Sequence, residues 1–186
     1  MESLVLPRIA PLEPPYAPDV KAAFDAIMKG SDPLILFRTM ATSERAWRKF
    51  REGSLLDRGP LSLREREIVI DRTTALANCE YEWGAHIEIF AKAVKFTDEQ
   101  IAATKNGDAN SACWSEAERA LIAAVDALHE HATLSTAEFD RLRMHYNDEK
   151  ILEILLLCGR YRTISYLANA LDLPLEPTAA RFPPRP

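Results

Sequence analysis

The chain has 186 residues, of which 47% are hydrophobic and 27% charged, the composition of a soluble globular protein able to bury one full core. Lysine and arginine contribute 23 positive charges against 28 from aspartate and glutamate, for a formal net charge of -5. This balance argues against nucleic-acid binding, because phosphate neutralisation requires a basic patch and no cluster of lysine and arginine stands out.

The sequence also argues against a membrane or exported protein. It has no run of about 18 apolar residues, so we expect no membrane contact. An acid at position 2 and several prolines within MESLVLPRIAPLEPP differ from the basic, continuously apolar start of a signal peptide, so we predict a cytoplasmic location. The three cysteines, at positions 79, 113 and 158, are too few and too far apart for a disulfide scaffold, so we expect free thiols.

Prolines concentrate at the two ends of the chain, and the sequence between them has a helical pattern. We predict one domain over residues 1–186, with extended proline-rich arms at 1–18 and 174–186. Such arms lie over a neighbouring surface or fray, and in oligomers they often cross to the next subunit. The predicted helices lie, in chain order, at about 19–28, after 31–33, from about 43, from 62 to 77 or 78, from 78 to 95, from 97 to about 106, and at 120–131, 137–145 and 148–171.

Three of these helices are introduced by a capping box, in which a serine is followed three residues later by a glutamate. The pairs are Ser62 and Glu65, Ser115 and Glu118, and Ser135 and Glu138. No segment alternates with period two for long, so the sequence predicts an all-α fold. The last helix is apolar around more of its circumference than a surface helix should be, which favours a core helix that also contributes to a subunit interface.

The residues best suited to chemistry lie in the stretch that ends at His86. Cys79, Glu82 and His86 are spaced i, i+3 and i+7, so on a helix they project from one face. Asn78 is a favourable N-cap residue, which would place Cys79 in the first helical turn. There the helix dipole and the free N–H groups lower the pKa of a thiol.

Glu67 lies one predicted helix earlier. If the two helices pack as an antiparallel hairpin about Asn78, Glu67 approaches His86. A carboxylate paired with an imidazole sets the tautomer of the ring and raises its basicity, as a general base requires. The alternative interpretation is a chance arrangement, with a buried thiol beside a solvated charged face.

We predict neither a metal nor a cofactor. Glu82 and His86 form an i, i+4 pair, but no second pair of metal ligands is evident. His129 and His131 flank a glutamate, and neighbouring side chains on a helix diverge. The chain has no glycine-rich phosphate loop, no CxxC pair and no G-x-S-x-G elbow.

Two runs of residues resemble a known family. They are LSLREREIVIDR at 61–72 and CEYEWGAH at 79–86, which together look like the carboxymuconolactone decarboxylase family, including its alkylhydroperoxidase D-like members. The similarity continues through PRIAPL at 7–12, WSEAERAL at 114–121, DALH at 126–129 and LANAL at 167–171, so it covers most of the chain.

The resemblance implies an alkylhydroperoxidase D-like helical bundle with a central helical hairpin, assembled as a homotrimer or hexamer. In the peroxidase branch, the site follows Glu-x11-Cys-x2-Cys-x3-His, and a dithiol partner re-reduces the cysteine pair. Position by position, the glutamate corresponds to Glu67, the first cysteine to Cys79 and the histidine to His86. The second cysteine position holds Glu82 instead.

Glu82 shifts the expected chemistry from thiol redox to proton transfer, because Cys79 lacks a neighbouring thiol with which to close a local disulfide. Our first hypothesis is therefore a cofactor-free enzyme of the decarboxylase-like branch. It would decarboxylate or isomerise a small carboxylated lactone or organic acid of the kind formed in aromatic catabolism. His86 would be the general acid/base, Glu67 its orienting partner and Glu82 a second proton-handling group, with Cys79 lining the pocket or assisting.

Arg72 and Tyr81 are the predicted substrate-binding residues of this hypothesis. Arg72 would anchor an anionic group, and the alternative for it is a salt bridge to Glu67 or Asp71. The alternative to substrate binding for Tyr81 is a role in packing.

Two further functions stay open at this stage. The first is an antioxidant thiol peroxidase with peroxiredoxin-like activity, in which Cys79 attacks the peroxide oxygen while His86 and Glu67 activate the thiol. The second is a non-catalytic oligomeric binding protein that has kept the fold and lost the activity.

Overall fold

The computed structural model describes residues 7–184, and within that range it contains nine helices and no strand, which confirms the predicted all-α fold. Positions 1–6 and 185–186, the outermost parts of the two predicted arms, lie outside the described residues. The helices are α1 (Pro18–Met28), α2 (Ile35–Met40), α3 (Glu44–Glu52), α4 (Leu63–Leu76), α5 (Glu80–Phe90), α6 (Asp98–Asn106), α7 (Glu116–His131), α8 (Thr136–Arg143) and α9 (Asp148–Ala170).

Local capping signals set most helix starts. All three predicted capping boxes are present, and Thr97 with Gln100 forms a fourth at α6. Some boundaries differ from the prediction. Helix α7 begins at Glu116, directly after its N-cap residue Ser115, and not at position 120. Helix α5 ends at Phe90, well before position 95, because residues 91–95 form turns that bury Val94.

Helix α4 lies at the centre of the fold. It packs against α5, α6, α7 and α9, and every residue from Glu67 to Ala75 is buried. Several of these residues are polar or charged. Since burying such groups without partners is costly, their hydrogen bonds must be made inside the protein. The polar chemistry of the chain is therefore concentrated along α4.

Helices α4 and α5 form the central hairpin, and Asn78 makes the reversal possible. Its φ of 51° lies in the left-handed region, which asparagine tolerates better than most residues. The N–H of Asn78 donates to the carbonyl of Ala75 (3.1 Å) and that of Cys79 to Thr74 (2.9 Å), which closes the end of α4. Asn78 thus terminates α4, and the predicted N-cap role is wrong. Cys79 is the N-cap residue of α5, and its side chain makes no capping bond.

The described parts of both proline-rich segments lie on helices of their own chain. At the N-terminal end, the N–H of Arg8 donates to the carbonyl of Leu171 (2.8 Å). At the C-terminal end, the N–H of Ala180 donates to the carbonyl of Gly84 (3.0 Å), and the Phe182 ring packs 5.0 Å from that of Trp83. The C-terminal segment therefore covers one side of α5.

No helix within residues 7–184 is both long enough and apolar enough to cross a bilayer.

The contact between α5 and the C-terminal segment requires glycine at position 84. A Cβ added there would lie 2.2 Å from the carbonyl oxygen of Ala180. We expect Gly84→Ala to lower the free energy of unfolding by about 1–3 kcal/mol, the usual cost of overpacking, as measured by urea denaturation. Hydrogen exchange at residues 179–182 should rise in the same variant.

The matched control for this substitution is Gly159→Ala in α9. A Cβ there meets no atom of the described chain within 4 Å. Replacing a helical glycine by alanine in open space stabilises a protein by roughly 0.5–1 kcal/mol. Equal effects of the two substitutions would contradict the close approach at Gly84.

Candidate active site

The structure brings Glu67, Glu82 and His86 together in one buried group, which we call the central cluster. Oε2 of Glu67 lies 2.7 Å from Nδ1 of His86. Oε1 of Glu82 lies 3.5 Å from Nε2 of the same ring. The side chain of Glu67 has no exposed area, whereas those of His86 and Glu82 are 7% and 9% exposed. The cluster therefore runs from the interior towards the surface.

The hairpin explains how this cluster is assembled. Glu82 and His86 are four residues apart on α5, so their side chains share a face of that helix. The reversal at Asn78 turns this face towards α4, where Glu67 follows the first turn. The approach of Glu67 to His86 that the sequence indicated is thus present in the structure.

The two carboxylates determine the charge of His86. Burial by itself would lower the pKa of the imidazole, but the hydrogen bonds and charges of Glu67 and Glu82 outweigh it and raise the pKa to about 10. His86 is therefore an imidazolium at neutral pH. With Nδ1 bound to Glu67, the proton on Nε2 faces Glu82 and the more exposed end of the cluster. This arrangement equips His86 to donate a proton.

Asp71 adds a third acid, beside the cluster, that sequence reasoning did not assign to the site. It lies one turn after Glu67 on α4, is buried, and its Oδ1 has no hydrogen-bond partner. Burial and the charge of Glu67 raise the pKa of Asp71 well above its usual value, which favours the neutral form of this carboxyl. The sequence shows the i, i+4 spacing of Glu67 and Asp71. It does not show the burial that raises the pKa of Asp71.

Aromatic rings and an arginine complete the surroundings of His86. The ring of Tyr161 packs edge-on at 5.2 Å, and that of Phe90 lies at 5.3 Å. Nε of Arg66 donates to Oε1 of Glu67 over 3.2 Å. Arg66 and Phe90 were neighbours of the motif residues in sequence. Tyr161 comes from α9, far along the chain, and no local signal connects it to the site.

Cys79 lies next to the cluster but not in the state that the sequence predicted. Its side chain is fully buried. Burial raises the pKa of the thiol to about 11, and the charge of Glu82 acts in the same direction. The predicted lowering of this pKa is wrong, because the dipole and N–H groups of the helix do not compensate for the loss of solvent. Cys79 is a protonated thiol at neutral pH.

Arg72 is held away from the cluster by other partners, which corrects both interpretations of this residue. Its guanidinium forms a two-point bond with Asp126 of α7 (2.6 and 3.1 Å). It also donates to the carbonyls of Thr104 (3.0 Å) and Gly107 (2.9 Å). With these bonds Arg72 ties α4 to α7 and to the end of α6. It is neither an anion anchor at His86 nor paired with an acid of its own helix.

Tyr81, like Arg72, links separate elements of the fold. Its hydroxyl donates to the carboxylate of Glu176 and accepts the N–H of Leu36 (2.9 Å). Burial and the neighbouring Glu176 raise the pKa of this phenol above its usual value. Tyr81 therefore ties α5 to α2 and to the C-terminal segment. The packing alternative describes it better than substrate binding.

The chemistry that this arrangement supports is proton transfer. Across the part of the chain that the structure describes, no three side chains of His, Cys, Asp or Glu converge as metal ligands. The cluster instead places a charged imidazole between two carboxylates, with a neutral carboxyl and a protonated thiol beside it. A proton donor, the imidazolium, thus lies beside carboxylates that can accept a proton. General acid/base catalysis uses such a pair of groups in one site.

Comparisons with known proteins show a family match over part of the chain and the fold of the whole. Residues 41–126 match the model of the carboxymuconolactone decarboxylase family. No curated protein matches the sequence significantly. An uncharacterized peroxidase-related protein from Silicibacter sp. TM1040 superposes with a TM-score of 0.79 at 17% identity, over 98% of this chain and 99% of that one.

Two other solved structures are similar. The debrominase Bmp8 in its apo form has a TM-score of 0.74 at 20% identity, over 96% of this chain and 95% of that one. An uncharacterized peroxidase-related protein from Ralstonia eutropha JMP134, described as an alkylhydroperoxidase AhpD core, has a TM-score of 0.74 at 19% identity, over 91% of this chain and 93% of that one. Residues 41–126 therefore match the carboxymuconolactone decarboxylase family, and the chain has the alkylhydroperoxidase D-like fold.

Proposed function

We propose that the protein is a cofactor-free acid/base enzyme that decarboxylates or isomerises a small carboxylated lactone or a related organic acid. The observation that carries this proposal is the position of His86 between two carboxylates. Glu67 lies 2.7 Å from Nδ1 of the ring, and Glu82 lies 3.5 Å from Nε2. A thiol at position 82 would have placed a redox pair here. The carboxylate makes the site a proton-transfer device.

In decarboxylation, the bond between the carboxylate and its carbon breaks and CO2 leaves. The electron pair stays on the carbon as an enolate, and the proton on Nε2 of His86 is transferred to that carbon. Glu67 orients the ring through Nδ1 throughout. His86 then regains its proton from solvent by way of Glu82, the outermost member of the cluster. In isomerisation, Glu82 would accept a proton from one carbon and His86 would deliver one to another.

The surroundings of the cluster fit an anionic, planar substrate. Arg66 donates to Glu67, and the charge of Arg160 acts on Glu82 and Tyr161. These two arginines supply the positive potential that Arg72 does not. The rings of Phe90 and Tyr161 offer apolar walls. A debrominase of the same fold has been crystallised, as a cysteine-to-alanine variant, with 2,3,4-tribromopyrrole, which supports a small ring as ligand.

A thiol peroxidase is the second candidate, and the names of two structurally similar proteins favour it. Attack on peroxide requires a thiolate, because the thiol itself is a poor nucleophile. Cys79 has a pKa of about 11 and no exposed area, so it is almost entirely protonated at pH 7. Glu82 also leaves it without a resolving thiol one turn away. Both observations favour the acid/base function.

The protonation state of His86 is measurable by NMR titration of its ring nitrogens. We expect the wild-type ring to stay charged until the pH approaches about 10. Because folding raises this pKa from 6.5, protonated His86 stabilises the fold fully below pH 6.5, and that contribution is lost as the pH rises through about 10. Glu67→Gln should lower the pKa, since it removes a charged hydrogen-bond partner.

Glu88→Gln is the control for this titration, because Glu88 lies on the same helix but is exposed. It should leave the titration of His86 unchanged. A wild-type ring that titrates near pH 6.5 would contradict the coupling of His86 to the two carboxylates.

The proposed reaction is tested with γ-carboxymuconolactone in D2O, with CO2 release and deuterium in the product as readouts. We expect turnover by the wild-type protein. His86→Gln should lower kcat/KM by roughly 100- to 10,000-fold, the usual contribution of a general acid/base. Cys79→Ser should keep activity near the wild-type value. Loss of activity in Cys79→Ser but not in His86→Gln would overturn the assignment of the proton donor.

The peroxidase alternative is tested by stopped-flow oxidation of the reduced protein with hydrogen peroxide. We expect Cys79 to react no faster than an ordinary free thiol, because burial holds it protonated. Glu82→Cys should then form a disulfide with Cys79 on oxidation, as mass spectrometry would show. Fast, saturable oxidation of the wild-type protein that vanishes in Cys79→Ser would instead establish peroxidase chemistry.

A further inference from the structure

A cavity lies on the side of α4 that faces α7 and α9. Its volume is about 380 Å³, within the range of small-molecule pockets. Val125, Leu128 and Leu155 form apolar walls. No member of the central cluster lines it. Thr73, which does, is six residues after Glu67 and therefore projects from a different face of α4.

The cavity contains a positive charge that is not neutralised by a carboxylate. Nη1 of Arg162 contacts Nδ1 of His129, and Nε donates to the Tyr166 hydroxyl over 3.0 Å. Among the ion pairs of residues 7–184, none includes Arg162. Asp126, the acid whose charge acts on His129, is bound at two points by Arg72. Burial lowers the pKa of His129, and the charge of Arg162 adds to this effect, so the ring is neutral.

A buried hydroxyl without a suitable partner also lines the cavity. Thr73 is 4% exposed, and its Oγ1 makes no hydrogen bond of acceptable geometry. The polar group beside it is the thiol of Cys158, a weak donor and acceptor. Buried hydroxyls normally find a partner, so an unsatisfied one at a cavity wall points to a ligand. Tyr166, by contrast, is 60% exposed, which places Thr73 at the inner end and Tyr166 at the mouth.

We propose that this cavity binds a small organic anion: a monocarboxylate with an apolar body and a hydroxyl at its far end. The carboxylate pairs with Arg162 near the mouth. The apolar body packs against Val125, Leu128 and Leu155, and the distal hydroxyl reaches Oγ1 of Thr73. This alternation of charge, apolar wall and inner hydroxyl is the pattern of a ligand site, in which a few polar groups fix orientation within an apolar pocket. The proposal does not depend on the reaction assigned to the central cluster.

Isothermal titration calorimetry of the full chain with sodium benzoate, benzamide and 4-hydroxybenzoate tests the site. We expect saturable binding of benzoate at one site per chain. Benzamide, which has the same shape without the charge, should bind roughly tenfold more weakly, the difference expected for one charge-assisted hydrogen bond. Arg162→Gln should reduce the affinity for benzoate to that for benzamide. Arg141→Gln, on exposed α8, is the control and should change nothing.

Thr73→Val tests the inner end of the cavity with little change in side-chain shape. It should weaken the binding of 4-hydroxybenzoate and leave the binding of benzoate unaffected, because only the hydroxylated probe reaches Oγ1. Should Arg162→Gln fold poorly, Arg162→Lys keeps the charge and should retain part of the preference for benzoate over benzamide.

His86→Gln separates this site from the central cluster. We expect it to bind benzoate as tightly as the wild-type protein does. Binding that is lost in His86→Gln and kept in Arg162→Gln would place the anion at the cluster and overturn the proposal. Absence of benzoate binding, or equal affinities for benzoate and benzamide in the wild-type protein, would overturn it as well.

Discussion

The burial of α4 is the constraint on which the rest of the structure depends. A helix enclosed by α5, α6, α7 and α9 carries ionisable residues that water cannot reach, so a side chain that stays charged needs a partner. Glu67 finds His86, and Arg72 finds Asp126. The first pair creates the candidate active site and the second fastens the helix in place. The burial of α4 therefore accounts both for the paired groups of the candidate site and for the ion pair that joins α4 to α7.

The carboxylate at position 82 sets the character of the site. Glu67 and Glu82, on either side of His86, hold it protonated. Burial keeps the Cys79 thiol protonated, and the charge of Glu82 acts in the same direction. The carboxylate that stands in place of the second cysteine therefore contributes to both protonation states. A carboxylate in place of a thiol at position 82 is the basis on which we propose proton transfer over thiol redox chemistry.

Two sides of α4 present two different environments. The side towards α5 is highly charged and nearly closed, with its carboxylates arranged around one imidazole. The side towards α7 and α9 is an open cavity with apolar walls and an arginine near its mouth. The C-terminal segment is bonded to α5 through Gly84 and Tyr81, and so contacts the helix that carries Glu82 and His86.

The sequence by itself determined what depends on neighbours a few residues apart. The three predicted capping boxes marked three helix starts, and the four-residue spacing placed Glu82 and His86 on one face, since such contacts are made within a turn. Only the tertiary structure decided the partner of Arg72, which lies 54 residues away, and the burial that raises the pKa of Cys79. Those outcomes depend on packing between distant elements, which leaves no periodic signal in the chain.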